Sequence, residues 1–437
     1  MVVIEKNIAT NKLVDAWEAL QIKTSGERYV QAICKNAIGS FSRLGIPNKK
    51  NEEYKYSQVE KIFKAQFRVQ NSEFRIDKKT VEKLAIPGLD AYYVVLVNGI
   101  FNPEFSSKIS NDIVVKSLIK AFTENKEIVQ KYFSSIADID SDAFIALNTA
   151  FTENGLFIHI PKKTKVEKPI HLINIYTSEE DVLLQPRNLF VVEERAEVKI
   201  IETFKSLSAH KKIIVNTLTE AAVGKEAHVQ YYRLQNDTAK TFYINTFHAQ
   251  QQEKSVLDTN TIILNTEWLR NNLHIILNAQ HAETHLNGLF FTELSQHVDN
   301  HTLVDHQQPN CNSNQLYKGI LNDRSTGIFN GKIFVRKDAQ KTNAYQSSKN
   351  ILLSDDATIN SKPQLEIYAD DVKCSHGSST GHLDESALFY LRSRGISTEN
   401  ARKLLLQAFA NDVVNTIKIE PLREYVTSII EEKLQGG

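Results

Sequence analysis

From Asn154-Gly155 to about Ser379 the chain is one short β run after another, with no long amphipathic helix among them. Leu156–Ile160, Ile170–Tyr176, Leu189–Val192, Val198–Thr203, Ile213–Leu218, Val229–Leu234, Thr261–Leu264 and His274–Leu277 are rich in β-branched and aromatic residues, as strands are. A weak self-similarity runs through them. Ala196-x-Val198, Ala227-x-Val229 and the run near Val256 recur at intervals of about 30 residues. Such a period fits coils of a solenoid, each burying its apolar face only against its neighbours. A β-sandwich or cupin-like barrel competes, and the irregular repeat alone does not separate them. The span, residues 154 to 379, is long for one sandwich and favours the solenoid.

Helices are expected on both sides. Leu13, Ala16, Trp17 and Leu20 follow helical spacing, and Tyr29, Val30, Ile33 and Ala37 repeat it, with Cys34 beside the apolar stripe as a buried, inert thiol. Gly45 and Pro47 break the pattern, and a third helix is predicted through Tyr56, Val59, Ile62 and Phe63. Tyr92–Val97 reads as a strand ending at Asn98-Gly99, and Val114 to Ala150 as helical, capped at Ser141 or Asp142. After Gly381, Leu383–Arg394 is one helix, Ser397 caps a second through Phe409, and Pro421 opens a third. That third helix carries Leu422, Tyr425, Val426, Ile429, Ile430 and Leu434 on one face. These helices either cap the open edge of the solenoid or offer an apolar face to another protein. The division is 1–153 mainly helical, 154–383 solenoid, and 384–437 a helical docking region.

Bulk properties remove several function classes. A chain of 437 residues has room for two or three domains. Lys+Arg and Asp+Glu number 52 each, so no net field draws in nucleic acid or an anionic membrane. Three distant cysteines without a Cys-x-x-Cys pair exclude a disulfide framework and a closed zinc site. Met1–Leu13 has no apolar signal region, and no stretch reaches the roughly 18 apolar residues of a membrane span. The expected location is the cytoplasm.

Three groups of residues could carry chemistry. His281, His285, His297, His301 and His306 lie close in sequence, but Glu283 is one place late for a His-Glu-x-x-His zinc motif. Imidazoles on outward strand faces are the plainer account. Ala369-Asp370-Asp371 and Ser375-His376-Gly377 have the residue types of a β-helical glycosidase, yet they are too close in sequence to stack on successive coils. Cys374 and His376 share one face of a strand, a soft sulfur beside an imidazole nitrogen. Two donors are too few for a cluster, so others must come from a partner. A buried cysteine beside a hydrogen-bonded histidine is the bland reading of the pair.

The C-terminal third resembles the SufB/SufD family of the SUF iron–sulfur cluster assembly system. The resemblance is carried by Gly331-Lys332, Asp338–Thr342, Ala344-Tyr-Gln346, Leu352-Leu-Ser354, Lys362–Asp371, Lys373-Cys-Ser-His-Gly377, Gly381-x-Leu-Asp384 and Leu388–Gly395. Gly45–Tyr56, Asn98-Gly99 and Leu147–Phe151 fit as well, so it spans nearly the whole chain. His376-Gly377, where SufB-like chains tend to have His-Glu, and the low cysteine count place it on the SufD side. Ser378–His382 departs from the usual pattern, and His382 becomes an additional candidate ligand.

The resemblance implies a right-handed parallel β-helix between helical regions, acting as a non-catalytic scaffold. It implies a SufB-like partner, pairing edge-to-edge through the runs Ile351–Leu353 and Leu365–Tyr368, or a homodimer in isolation. It implies a SufC-like ATPase docked on the C-terminal helices. For that contact the aromatic- and Arg-bearing run Phe389, Tyr390, Leu391, Arg392 and Arg394, with Leu405 and Phe409, is the expected surface. It implies no permanent cofactor, with iron or a transient iron–sulfur cluster held at His376 and Cys374. No Gly-x-x-x-x-Gly-Lys-Ser/Thr loop is present. A β-helical carbohydrate-active enzyme and a zinc enzyme using residues 281–306 are the alternatives.

Overall fold

Strand-forming runs of about ten residues become a solenoid only if each ends in a turn that leads the chain into the opposite sheet. In the computed structural model, Arg195, Glu226, Lys254, His281, Asn310 and Lys341 make that corner with φ of 55–61°. Each is followed by a small buried residue, Ala196, Ala227, Ser255, Ala282, Cys311 and Thr342 in turn. The faint Ala-x-Val repeat is this corner, where a larger side chain would collide with the coils above and below. The described residues are 8–20, 27–64, 67–69, 76–110, 112–208, 210–237 and 240–435; Met1–Asn7 of the polar N-terminus falls outside them.

The described residues form two sheets, of 11 and 10 strands, and from Arg187–Val192 onward successive strands alternate between them. Between coils the pairing is parallel, with register steps such as Phe242↔Trp268↔His297↔Thr326 in one sheet and His228↔Val256↔Glu283↔Asn312 in the other. This is a β-solenoid. Its lumen is filled by Leu172, Phe190, Ile200, Phe247, Leu257, Leu286 and Phe329 among others. Buried polar groups also face inward, including Glu202, which meets Tyr231 and Arg233.

The two ends differ. At the first, Val114–Ser117 lies antiparallel to Gly155–Ile160, and Ile100–Asn102 antiparallel to Tyr92–Val97. Helices Arg28–Leu44, Leu118–Glu124 and Lys126–Tyr132 pack over Phe157, Leu189 and Val191 there. At the other end Thr358–Ile367 and Lys373–Gly381 terminate their sheets.

The flanking segments cover outer faces. Helix Ile8–Leu20 and helix Ala143–Ala150 pack on Leu183, Ile214, Ile244 and Trp268. Asp142 caps the latter by accepting from the Phe144 and Ile145 amides. Beneath it the fully buried Arg187 and Glu220 pair at 2.5 Å, and Glu220 also accepts from the Ser134, Ile136 and Ala137 amides. The segment from Glu52 to Ser57 clamps across the coils. Glu53 O accepts from Arg270 at 2.7 Å, Ser57 Oγ donates to Asp299, Asn330 Nδ2 donates to Glu53, and Lys362 pairs with Glu52 at 2.7 Å. Asp299 is buried, which alone would raise its pKa; His301 and Arg270 hold its carboxyl well below the usual range.

Several expectations change. The third helix is two short 3₁₀ turns, Glu52–Tyr54 and Val59–Lys64, with Tyr56 exposed between them. Val114–Ser117 is strand because it pairs with the first coil, and helix starts only at Leu118. The C-terminal helices Thr398–Val414 and Glu420–Gln435 do not cap the open end. They lie on the outer face of the smaller sheet, against Tyr232, Leu234, Ile262, Leu289, Phe291 and Ile320. Ser397 caps the first of them through the Asn400 amide, as expected.

Candidate functional site

The bare end of the solenoid brings together residues that the sequence had paired. In the last strand, Lys373 N donates back to Thr342 O, so alternation turns the N–H groups of Cys374, His376, Ser378 and Thr380 to the open side. In Thr358–Ile367, Thr358 N and Tyr368 N both donate back, which leaves Ile359, Ser361, Leu365 and Ile367 facing outward. Position 363 is proline and offers no donor. Ile351–Leu353 is therefore not an edge, because Asn343–Leu352 has neighbours on both sides. The run Leu365–Ile367 is one.

Side chains of the last strand alternate toward the lumen at Cys374, His376 and Ser378. Ser378 Oγ meets Ser361 Oγ across the lumen at 2.8 Å, and Cys374 packs with Ile333, Val335 and Leu365. Cys374 is half-buried, and burial pushes its thiol up from its ordinary value. His376 is exposed. The two face the same way, as their spacing required. His382 is exposed, and its Nδ1–H donates to the Leu352 carbonyl, 3.0 Å away.

One feature of the site escaped the sequence. Gln315, Gln346 and His376 are successive partners along one lumen row. Gln315 Nε2 donates to Thr302 Oγ1 and Gln346 Nε2 to Gln315 Oε1 at 2.8 Å. The signal was two glutamines 31 residues apart, about one coil, at the same place in their strands.

The expected docking residues divide. Phe389, Tyr390 and Arg392 are exposed on helix Glu385–Ser393, and so is Arg394 at its C-cap, its guanidinium over the Tyr390 ring. Leu391 and Leu405 are half-buried. Phe409 is turned inward: Lys318 sits 4.2 Å over its ring, donates to its carbonyl and pairs with Asp412. It belongs to the seam with the solenoid and is corrected as a docking residue.

The five histidines do not converge. His281 forms a corner turn; His285 sits between Asp258 and Glu283 on one sheet. On the other sheet His297 lies flat on Trp268, His301 bonds Asp299, and His306 points into the lumen against Ser313. Burial lowers His306 to about 4, so it is neutral, and its inward direction corrects the expectation of outward imidazoles. Among the described residues no three His, Cys, Asp or Glu side chains are grouped to hold a metal ion. Asp371 serves the backbone of the preceding coil, its carbonyl accepting from Lys341 N. No described helix is long and apolar enough to cross a membrane.

Comparison with known proteins fits this architecture. The family model for the SUF system FeS cluster assembly SufBD core domain matches residues 174–409, and that for the SufBD protein N-terminal region matches 11–172. The chain is 29% identical over 432 residues to the iron–sulfur cluster assembly protein SufD of Escherichia coli, covering 98% of both. It is 30% identical over 401 residues to an iron–sulfur cluster assembly SufBD family protein of Synechocystis, 89% of this chain and 88% of that one. It is 28% identical over 327 residues to SufD of Bacillus subtilis, 74% of each.

Proposed function

The chain belongs to the SufBD family of iron–sulfur cluster assembly proteins, and from that membership we propose that it is a non-catalytic scaffold. It pairs through its bare coil with a SufB-type chain and docks a SufC-type ATPase on helix Glu385–Ser393. The observation that carries this reading is the asymmetry of the solenoid, capped at one end and at the other left with outward donors beside Cys374 and His376. Edge strands left open invite another chain to add on.

The cluster is cargo. A neutral imidazole at His376 is a competent iron ligand without deprotonation, whereas the Cys374 thiol, raised by burial, first has to lose its proton. His376 is therefore the principal donor of this chain and Cys374 the secondary one. Thiolates from the paired chain complete the set. Without that chain the same edges join two copies of this one. The free thiols Cys34, Cys311 and Cys374 suit the cytoplasm, where we place it.

The test is iron and acid-labile sulfide per co-expressed complex. His376→Ala should lower both several-fold while the complex still assembles; unchanged values would reduce the site to structure. ATPase docking is tested by Phe389→Ala with Tyr390→Ala. Removing everything past 384 would instead strip Tyr232, Leu234, Ile262, Phe291 and their neighbours of cover. At about 1.5–3 kcal/mol each, that is comparable with the whole stability of a typical domain.

A further inference from the structure

The row that ends at His376 leaves one buried acceptor without a donor. Gln346 is 3% exposed, and its Nε2 is committed to Gln315 Oε1 on the preceding coil. Its Oε1 has no partner. Turned over alone, that amide would set its Oε1 against Gln315 Oε1, two acceptors facing each other, so with Gln315 donating to Thr302 it keeps this orientation. Nor is its place in the lumen accidental. A Cβ at Gly331 would come within 2.4 Å of Gln346 Nε2, so the glutamine lies where only glycine leaves room.

The next residue along the row, on the last strand, is His376. Adjacent strands are about 4.8 Å apart, within reach of an imidazole N–H turned toward the lumen. We propose that Gln346 is the positioning residue of His376: its Oε1 accepts the proton-bearing ring nitrogen and so turns the unprotonated nitrogen out of the open end. This rests on the reading of His376 as a cluster donor. An imidazole is a ligand only through its bare nitrogen, and the hydrogen bond at the other nitrogen decides which one that is. His376, Gln346, Gln315 and Thr302 then form one run of donors and acceptors, from the open end into the lumen. An apolar residue at 346 would leave the ring free to rotate and to exchange tautomers.

The experiment reads the His376 ring directly, in the full chain labelled with ¹⁵N-histidine. The signal is assigned by its loss in His376→Ala and recorded at a pH where the ring is neutral. In the native chain the two ring nitrogens should be well separated in shift, as in a single tautomer. In Gln346→Leu the separation should shrink to that of a freely exchanging imidazole, and in Gln346→Glu, which keeps an acceptor, it should persist. Gly331→Ala displaces Gln346 from the other side and should act like the leucine, so the inference survives a leucine variant that fails to fold. Iron per co-expressed complex should fall about tenfold in Gln346→Leu and recover in Gln346→Glu. Unchanged ring shifts in both Gln346→Leu and Gly331→Ala would overturn the inference. So would altered shifts with undiminished iron. Full iron in His376→Ala would instead overturn the function on which it rests.

Discussion

The two ends of the solenoid are made of the same kind of strand and are finished in opposite ways. In Ile213–Val223 every residue is buried, whereas in Lys373–Gly381 only Cys374 is even half-buried. The early coils are closed by antiparallel strands, helices and the Arg187–Glu220 pair. The edges of the last coil are blunted by Lys362, Pro363, Glu366 and Lys373 and by no covering element among the described residues. A parallel coil gains most of its stability from having neighbours on both sides, so the bare coil is the part of the molecule least supported from within. It is also the part that carries the candidate donors. Stability and availability have been assigned to opposite ends.

Acid should give the largest separation between them. His171, His274 and His306 are buried in the early and middle coils, and burial lowers them to about 3, 4 and 4. Their folded pKa values lie below the unfolded value near 6.5, so the stability they support is full above pH 6.5. It is lost as pH falls toward 4, because the unfolded chain binds the protons. By pH 5 each should cost about 2 kcal/mol. Urea denaturation at pH 7 and pH 5, with amide exchange to locate the loss, should show the middle coils loosening. An unchanged midpoint would mean that these imidazoles are solvated.

Arg187→Met comes next. It strands the Glu220 carboxylate under the helical cover and should cost about 3–5 kcal/mol, read as a fall in urea midpoint at constant slope. A loss below about 1 kcal/mol would remove the contrast between the ends. At the bare end, Ser378→Pro deletes a donor that faces outward and should cost the isolated chain less than about 1 kcal/mol. It should nonetheless abolish pairing with a SufB-type chain, or with a second copy, in light scattering. Pairing at full strength would place the interface elsewhere. The smallest effect belongs to His376→Ala, an exposed position, within about 0.5 kcal/mol of the native chain.

Much of this was legible in residues. Alternation and length marked the strands, and Asp142, Ser397 and Pro421 marked helix starts, because these are local signals. Cys374 and His376 could be placed on one face by counting. What counting could not supply was the third dimension of the row. Gln346 and His376 are 30 residues apart and adjacent only because coils stack in register. Likewise Phe409 read as a free aromatic, since nothing nearby in sequence announces that Lys318 lies beneath it. The Tyr56 to Phe63 pattern had helical spacing but forms a short 3₁₀ turn, where packing of Val59, Ile62 and Phe63 on the sheet outweighed propensity.

The clamp across the coils has a consequence for how such a chain can change over time. Solenoids commonly lengthen or shorten by whole repeats, since each coil recognises only its neighbours. Here the segment from Glu52 to Ser57 reaches Arg270, Asp299, Asn330 and Lys362, one on each of four successive strands of the same sheet. It works as a ruler laid along the coils. A duplicated or deleted coil in this stretch would put every later mark out of place, so the number of coils between the covered face and the open end is counted by six residues near the N-terminus.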